Sequence, residues 1–503
     1  MLTRLKVRGF KNLVDVDVRF GPFTCIAGAN GVGKSNLFDA IQFLSVLADK
    51  TLLDAASAIR SGGEKYPDVR GLFNRSGNKH AENIYFEAEM IVPPKAVDDL
   101  GKEGTAKITI LQYILELSYR ESESPKASII GGDLGIVREE LSYIQKGEAP
   151  KSLLFKHSKE WLHSAVTGAS RSRFISTIIE NDHTLVKLHQ DGNQGRPSQY
   201  PADKLPRTVL SSGNASESPT VLCARREMSS WKLLQLEPTA LRKPSDFISP
   251  TQLSADGSFL ASTLYHMART APEEGTAPDE DSVYCQIANR LSELIGHVDS
   301  LRVDRDEKRE LFTLVLRETN GTELPAKALS DGTLRFLAIT VIEMDSRSGG
   351  VVCLEEPENG IHPERIPAML RLLQDVATDA YERVETGNPL RQVIVNTHSP
   401  AVVSEVPDDS LLVAETTSIL IDGKYGSGVK FSALSNTWRS KAPEKPPVTA
   451  KGKLLAYLNP RAISSINKYQ GTSGDIKKSN SSCKVSERSD LQLLLPNMPT
   501  EHL

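Results

Sequence analysis

The amino-acid sequence predicts an α/β fold that combines a sheet built around a glycine-rich loop, an antiparallel β layer and a helical insertion. Three observations lead to this prediction. A glycine-rich loop near the amino terminus stands between a short apolar strand and an amphipathic helix. Alternating apolar and polar residues recur over 82–156, as in the strands of an antiparallel sheet. Two short apolar runs late in the chain, each followed by polar residues, are typical of strands buried on both faces.

Length and composition limit the classes of protein. The chain has 503 residues, which suits roughly two to four domains. Its 60 basic and 64 acidic residues give a net charge of −4, so the protein as a whole is not a basic nucleic-acid binder. The five scattered cysteines form no CxxC pair, and we expect a reducing cytoplasm without disulfides or a zinc site. No stretch approaches the ~20 apolar residues of a membrane helix, so we expect no membrane partner.

The division of the chain follows the same patterns. Residues 1–224 are predicted to form a first lobe with strands in "LTRLKVRGF", "VDVDVRF" and "FTCIAG", the loop, a helix and the alternating runs. Residues 225–298 have helical spacing, beginning with "RREMSSWKLLQLEP", and are predicted to be a helical insertion without the heptads of a long coiled coil. A second lobe over 299–432 and an accessory, partly disordered segment over 433–503 complete the prediction.

The strongest local signal is the loop "GANGVGKS", Gly28 to Ser35, which matches G-x-x-x-x-G-K-S in full. Glycines let the backbone curl until its amide groups converge on phosphate oxygens. The helix that follows directs its positive end at the same anion. In such a loop Lys34 reaches the β- and γ-phosphates and Ser35 supplies a hydroxyl to Mg²⁺. The strand before and the helix after distinguish the loop from an accidental glycine-rich turn.

A second signal, "VVCLEEPENG", places Glu355 and Glu356 at the carboxyl end of an apolar strand. Ligands of open α/β sheets bind at such ends. One acid can hold Mg²⁺ while its neighbour polarises an attacking water. The first acid is usually Asp in this arrangement, so Glu355 is one methylene longer than usual. An acidic helix cap is the alternative, but the phosphate loop upstream favours the catalytic interpretation.

A third signal, "RQVIVNTHSP", places His398 just after another apolar strand. A lone histidine at a strand end often has only a structural role. Here the spacing is that of a strand lying beside the Glu355–Glu356 strand. This would aim His398 at the γ-phosphate, where it can hold the attacking water or sense phosphate loss.

The fourth signal, "LSDGT", comes directly before the helical stretch "LRFLAITVIEM". Ser330, Asp331 and Gly332 therefore stand at a helix N-terminus, whose amides and dipole suit an anion. The alternative is a simple serine cap, with Asp331 and Thr333 in the first helical turn.

Together these motifs, with the start "LKVRGFKNL", resemble the ABC-type ATPase heads of the SMC/RecF/OLD superfamily over residues 1–60 and 325–415. The resemblance implies ATP and Mg²⁺ as cofactors. It also implies a head-to-tail homodimer, in which each ATP lies between the phosphate loop of one head and the "LSDGT" signature of the other.

The resemblance also assigns roles to individual residues. Glu355 is the metal-side acid beside Ser35, Glu356 the general base and His398 the switch histidine, and Lys34 completes the catalytic set. The residues implied to bind the nucleotide are Lys11, Asn12, Gly28, Asn30, Gly31, Gly33, Lys34, Ser35 and Asn36.

Two further expectations concern the partner head and the metal. Ser330, Asp331 and Gly332 are implied to contact the nucleotide of the second copy. The family also has a glutamine that joins the metal to the first lobe. The candidates here are Gln112, Gln145 and Gln194, and the sequence does not decide among them.

The predicted insertion resembles that of one subgroup within the superfamily. "SSWKLLQLEPTALRKPSDF" and "DGSFLASTLYHM" look like stretches of bacterial ATPases from antiphage modules such as Septu and Menshen. This implies an ATP-hydrolysing switch that controls a separate effector nuclease. OLD-type members carry a Toprim nuclease domain, which we do not expect here because the segment after 415 lacks its acidic cluster.

Three other functions compete with this interpretation. A RecF-like DNA repair ATPase would bind DNA directly, and the near-neutral charge gives this little support. A nucleotide-gated scaffold with negligible hydrolysis is disfavoured because Glu356 is present. A transporter subunit is disfavoured by the long span between Ser35 and Ser330.

Overall fold

The computed structural model describes residues 1–59, 68–77, 79–121, 132–191, 195–270, 280–345, 349–421, 424–450, 454 and 484–485. It confirms the predicted fold class, an α/β head with an antiparallel β layer, and the part of the chain described contains no long coiled coil. The strands of these residues are β1 Leu2–Phe10, β2 Leu13–Arg19, β3 Phe23–Ala27, β4 Arg75–Ser76, β5 Lys79–His80, β6 Asn83–Ile91, β7 Lys95–Val97, β8 Glu103–Thr105, β9 Ile110–Arg120, β10 Asp133–Tyr143, β11 Ile175–Glu180, β12 His183–Leu188, β13 Ser198–Pro201, β14 Lys232–Leu234, β15 Ser245–Asp246, β16 Val298–Asp306, β17 Leu311–Glu318, β18 Glu323–Pro325, β19 Gly350–Glu355, β20 Arg391–Thr397, β21 Leu411–Ile421 and β22 Lys424–Ala433.

The helices lie between these strands. The α-helices are α1 Lys34–Leu47, α2 Leu52–Ala58, α3 Ala149–Ser152, α4 Lys159–Ala165, α5 Pro219–Ser229, α6 Pro238–Leu241, α7 Leu260–Arg269, α8 Glu280–Ile295, α9 Asp331–Met344, α10 Ile366–Val376 and α11 Pro400–Glu405. Short 3₁₀ turns occur at Val69–Leu72, Ala202–Lys204, Val209–Ser212, Ala326–Ala328, Pro363–Arg365, Asp408–Ser410 and Arg439–Lys441. No helix in the described ranges has the length and apolar character needed to cross a membrane.

An antiparallel sheet of eight strands forms one layer, in the order β13-β12-β11-β10-β9-β6-β1-β2. The alternation seen in the sequence sets its two faces. In β1, Leu5 and Val7 are buried, whereas Arg8 on the opposite face is exposed. A small sheet of β15, β17 and β16, with β18 beside β17, lies in the second half of the chain.

A second, mostly parallel sheet has the order β14-β19-β20-β3-β21-β22, and only β22 runs antiparallel to its neighbour. Its central strands are buried on both faces and pack into two cores. Ile26, Cys353 and Ile394 contact the core shared with α1 and the antiparallel sheet. Leu354 and Val395, on the opposite face, belong to the core shared with α9 and α10. Because parallel strands present their carboxyl ends at one edge, polar residues far apart in the chain meet there.

Helix α1 joins the glycine-rich loop to the antiparallel sheet. The ring of Phe43 on α1 lies 5.9 Å from Phe10 on β1 and 5.8 Å from Phe86 on β6, measured between ring centroids. Burial of each ring stabilises the fold by ~1.5–3 kcal/mol, and close aromatic pairs add ~0.5–1.5 kcal/mol. Because α1 follows the loop directly, this packing fixes the position of the loop relative to the hydrophobic core.

The predicted helical insertion over 225–298 needs a correction at its start. Helix α5 ends at Ser229, and Lys232–Leu234 form β14, which pairs in parallel with β19 at the edge of the central sheet. The apolar spacing of "SSWKLLQLEP" suited a helix, but pairing with a strand about 120 residues later overrides local propensity. Helices α7 and α8 agree with the predicted helical stretches, whereas the remaining division into domains stays a prediction. Most of the predicted accessory segment beyond 450 lies outside the described residues.

Candidate nucleotide-binding site

A cleft of about 540 Å³ opens at the carboxyl edge of the parallel sheet. Strand β3 leads into it through the glycine-rich loop, β19 through the paired glutamates and β20 through the Asn396–His398 stretch. The residues that line the cleft are Asn30, Gly31, Gly33, Lys34, Ser35, Asn36, Gln235, Leu236, Glu237, Arg335, Glu355, Glu356, Asn359 and Asn396. The structure thus brings the first two sequence motifs together.

Lys34, the first residue of α1, is folded back onto its own loop. Its Nζ donates to the carbonyl oxygens of Gly28 at 2.6 Å and Ala29 at 2.9 Å, and the residue is 6% exposed. Burial lowers the pKa of the Lys34 ammonium, while the carboxylates of Glu356, Glu358 and Glu355 oppose this shift. A cation held by neutral carbonyls in a polar cleft is suited to exchange them for phosphate oxygens.

Asn12, in the turn between β1 and β2, supports the loop from behind. Its Nδ2 donates to the carbonyl of Val32 at 3.0 Å, and its Oδ1 accepts from Nδ2 of Asn36 at 2.8 Å. Gly33 has φ 110°, and a Cβ there would lie 2.2 Å from Nδ2 of Asn12. Only glycine fits this position. Lys11 donates to the Asp39 carboxylate on α1 at 2.7 Å, so its ammonium braces the helix.

Glu355 ends β19 and is held by two side-chain amides. Nε2 of Gln235 donates to its Oε2 at 2.5 Å, and Nδ2 of Asn396 lies 3.4 Å from its Oε1. Gln235 directly follows β14, and the pairing of Leu234 with Leu354 puts the two side chains side by side. The Glu355 carboxylate, the Gln235 side-chain amide and the Ser35 hydroxyl together offer oxygen ligands of the kind that Mg²⁺ prefers.

Glu356 adopts a left-handed backbone conformation, with φ 44°. Such a conformation costs a non-glycine residue ~1–3 kcal/mol, and strained residues of this kind cluster at active sites. Here the backbone N–H of Glu356 donates to both the carbonyl and Oδ1 of Asn396, each at 3.1 Å. The Glu356 carboxylate lies 2.7 Å from Nδ1 of His398 and accepts from Nδ2 of Asn359 at 2.9 Å. The structure therefore places the predicted base and switch histidine in direct contact.

A buried pair beneath the histidine fixes the end of β20. Oγ1 of Thr397 donates to Oε1 of Glu358 at 2.5 Å and accepts from the backbone N–H of Ser399 at 2.9 Å. Burial raises the pKa of Glu358. This arrangement positions His398 although neither residue lines the cleft.

The "LSDGT" stretch forms the N-terminus of α9, as predicted. Ser330 is the N-cap, and its Oγ accepts from the backbone N–H of Thr333 at 3.1 Å. Ser330 and Asp331 are exposed, and Arg242 donates to the Asp331 carboxylate and, at 2.9 Å, to the carbonyl of Leu329. None of the three signature residues is among those described as lining the chain's own cleft.

The glutamine that contacts Glu355 is Gln235, which is not one of the three sequence candidates. Gln112 donates to Glu87 at 2.9 Å on the antiparallel sheet, and Gln145 lies with it in a different cleft. Gln194 lies outside the described residues. Gln235 was missed because its stretch was interpreted as helix, and the two leucines directly before it were the only local signal of a strand end.

Comparisons with known proteins give one family model and several partial matches. A family model described as "AAA domain, putative AbiEii toxin, Type IV TA system" matches residues 23–93 and 225–404. The DNA replication and repair protein RecF of Magnetococcus marinus is 41% identical over 114 residues, which cover 22% of this chain and 28% of RecF. The OLD nuclease of Thermus scotoductus is 46% identical over 44 residues, 9% of this chain and 8% of the nuclease. A crystal structure of the SMC head bound to the C-winged helix domain of ScpA superposes with a TM-score of 0.42 and 14% identity, covering 86% of this chain and 98% of that one.

The glycine-rich loop after β3 and the paired acids at the end of β19 lie on parallel strands separated by β20, and an antiparallel layer packs beside them. This combination is that of an ABC-type ATPase head. The chain belongs to the SMC/RecF/OLD superfamily of these ATPases. It matches less than a third of the length of the two curated relatives above.

Proposed function

We propose that the protein hydrolyses ATP to ADP and phosphate in a Mg²⁺-dependent reaction. The observation that carries this proposal is the Glu356 carboxylate, held by His398 and Asn359 in the cleft that also contains Lys34. A carboxylate fixed at this edge of the sheet is placed to accept a proton from an attacking water. Lys34 binds the β- and γ-phosphates, and His398 keeps the base in position.

The residues of the cleft also fit a magnesium ion. Ser35 and Glu355 would hold it, and Gln235 adds an amide oxygen once its NH₂ group no longer donates to Glu355. A bound Mg²⁺ neutralises developing charge on the phosphate oxygens. The remaining nucleotide contacts come from the loop residues and the positive end of α1.

The exposed signature supports a head-to-tail homodimer as the hydrolysing form. Ser330 and Asp331 face solvent at the N-terminus of α9 and are not among the residues described as lining their own cleft. A helix N-terminus of this kind suits an anion supplied by a second copy. Each ATP would then lie between the loop of one copy and Ser330 of the other.

We further propose that the dimer is the switch subunit of a bacterial, cytoplasmic antiphage defence complex and controls a separately encoded nuclease. The support is the motif-level resemblance of the insertion together with the family model, whose description names a putative toxin of a toxin–antitoxin system. The similarity to OLD nuclease, which spans 44 residues, favours the same broad group.

A RecF-like repair ATPase that binds DNA directly is the second candidate, favoured by the 41% identity to RecF over 114 residues. The polar face of the antiparallel sheet speaks against it. Arg4 is paired with Asp17 and Glu89 there, and Arg138 is paired with Glu140. Arginines neutralised by neighbouring carboxylates are poor phosphate ligands, because those pairs must break first.

The hydrolysis proposal is tested by phosphate release from ATP with Mg²⁺ and with EDTA. We expect Mg²⁺-dependent turnover in the natural chain and loss of at least ~100-fold in Glu356→Gln, in line with removal of a general base. Glu364→Gln is the matched control, because its side chain is 89% exposed and is not among the residues described as lining the cleft. Equal turnover in Glu356→Gln and the natural chain would refute the assignment.

The biological role is tested separately. Copurification with the products of neighbouring genes, including a nuclease, supports the defence complex, whereas isolation without partners speaks against it. Duplex DNA binding that weakens steeply with salt, measured by fluorescence anisotropy, would favour the RecF-like alternative.

A further inference from the structure

Arg335 lies one turn after Asp331 on α9 and lines the same cleft as Lys34 and Glu356. Its Nε is buried and has no hydrogen-bond partner in the part of the chain that the structure describes. Burial lowers the pKa of this guanidinium, and the more distant carboxylates of Asp331, Glu237 and Glu358 oppose the shift. A half-buried cation with an unpaired Nε thus lines the same cleft as Lys34.

The unpaired Nε of Arg335 indicates that this side chain binds an anionic group. Burying a charged group without a hydrogen-bonded partner is costly, so such groups are normally paired. Three carboxylates attract Arg335 at a distance, yet no hydrogen bond to any of them is present in the described structure. The planar guanidinium matches two phosphate oxygens at once, which the ammonium of a lysine does not.

We propose that Arg335 binds the γ-phosphate of the ATP held in its own chain's cleft. This proposal rests on the proposed function. The γ-phosphate is the appropriate group because Arg335 shares the cleft wall with Glu356, the base for attack at that phosphate, and with Gln235, which contacts the metal-side acid.

The position of Arg335 on α9 gives this contact a consequence for the second site. The helix is continuous from Asp331 to Met344, so a displacement of Arg335 is transmitted to its N-cap Ser330, five residues earlier. Arg242 also binds Leu329 and Asp331, and it follows closely after the cleft residues Gln235 and Glu237. Occupation of one cleft is therefore linked to the orientation of the signature that completes the other.

The test measures ATP and ADP affinity of Arg335→Ala and Arg335→Met, each in a Glu356→Gln background that prevents turnover. We expect ATP affinity to fall at least ~10-fold and ADP affinity to change less than ~2-fold. The proposed bidentate contact is to the γ-phosphate, which ATP has and ADP lacks, so the substitution removes a contact only from the ATP complex. The volume of Met replaces that of the arginine stem, so Arg335→Met remains informative if the alanine variant fails to fold. Arg371→Ala, an exposed arginine on α10, is the matched control.

The outcomes separate this proposal from the one it rests on. Unchanged ATP affinity in Arg335→Met overturns the contact, even if the natural chain hydrolyses ATP. Equal losses for ATP and ADP also overturn it, because they indicate a structural role. Failure of hydrolysis in the natural chain, with ATP affinity still dependent on Arg335, refutes the hydrolysis proposal and leaves the γ-phosphate contact supported.

Discussion

Nε2 of Gln235 lies 2.5 Å from Oε2 of Glu355, although the two residues are 120 positions apart in the chain. Strand β14 creates this contact by pairing with β19, and Glu355 is further approached by Asn396 from the strand on its other side. Glu355, the proposed metal-side acid, is therefore oriented by residues from both neighbouring strands. Side chains that orient a metal ligand in this way normally contribute to affinity for the metal.

Replacing Gln235 by Ala should weaken the response to Mg²⁺. Removing a side chain that hydrogen-bonds to a metal ligand lowers metal affinity or activity by ~10–100-fold. We expect a reduction of this size in Mg²⁺-dependent phosphate release. Titration of turnover with Mg²⁺ measures it. Gln112→Ala is the control, because Gln112 lies on the antiparallel sheet beside Glu87. Equal effects of the two substitutions would contradict the assignment of Gln235.

Replacing Ser330 by Arg should leave ATP binding by the monomer intact and abolish turnover. The exposed Ser330 caps α9, so loss of the cap costs only ~1 kcal/mol of stability. The arginine would block the approach of a second copy's phosphate loop. Fluorescent ATP binding and phosphate release measure the two effects.

Ser330→Asp separates capping from catalysis, since aspartate preserves the cap but repels phosphate. We expect its melting temperature to stay near that of the natural chain while turnover is lost. If Ser330→Arg turns over ATP normally, the stretch is only a helix cap.

Replacing Gly33 by Ala should damage the loop more than replacing Gly31 by Ala. Both glycines have positive φ, 110° and 79°, so both substitutions carry backbone strain of ~1 kcal/mol or more. Only at Gly33 would the Cβ also collide with Asn12, whereas nothing lies within 4 Å at Gly31. ATP affinity, measured by calorimetry, should fall further for Gly33→Ala. Equal losses would show that the close approach of Asn12 is unimportant.

The buried Glu139 should make stability depend on pH. It accepts backbone N–H groups of Val209 and Leu210, both at 2.8 Å, and the Tyr113 hydroxyl at 3.2 Å. Burial nevertheless raises its pKa from 4.5 to about 7. Between these values the folded chain keeps a proton that the unfolded chain has released, so stability falls as pH rises through the window. The difference corresponds to roughly 3 kcal/mol.

Thermal unfolding of Glu139→Gln checks this dependence. We expect the melting temperature of the natural chain to fall relative to the Gln variant between about pH 5 and pH 8, because glutamine does not titrate. Glu148→Gln, at an exposed position, should follow the natural chain throughout. A constant difference between the natural chain and Glu139→Gln at all pH values would contradict the prediction.

Contiguous motifs could be recognised in the sequence because their chemistry is local. The glycines, Lys34 and Ser35 follow one another in a single loop, and the apolar run before Glu355 indicates a buried strand without reference to its neighbours. The α/β fold class followed from these runs and is confirmed. The predicted roles of Glu356, His398 and Ser330 stay predictions, although the structure places the first two in contact.

By itself, then, the sequence determined the fold class, the glycine-rich loop between a strand and a helix, the strand that ends at Glu355, and the helix that Ser330 caps, because each depends on periodicity or on neighbouring residues. Only the tertiary structure decided that Gln235 meets Glu355, that Asn12 covers Gly33 and that Arg335 enters the cleft. The three-residue strand β14 is too short to show a period, and its partner is chosen by pairing across the sheet. Contacts of this kind depend on the order of strands, which no local pattern encodes.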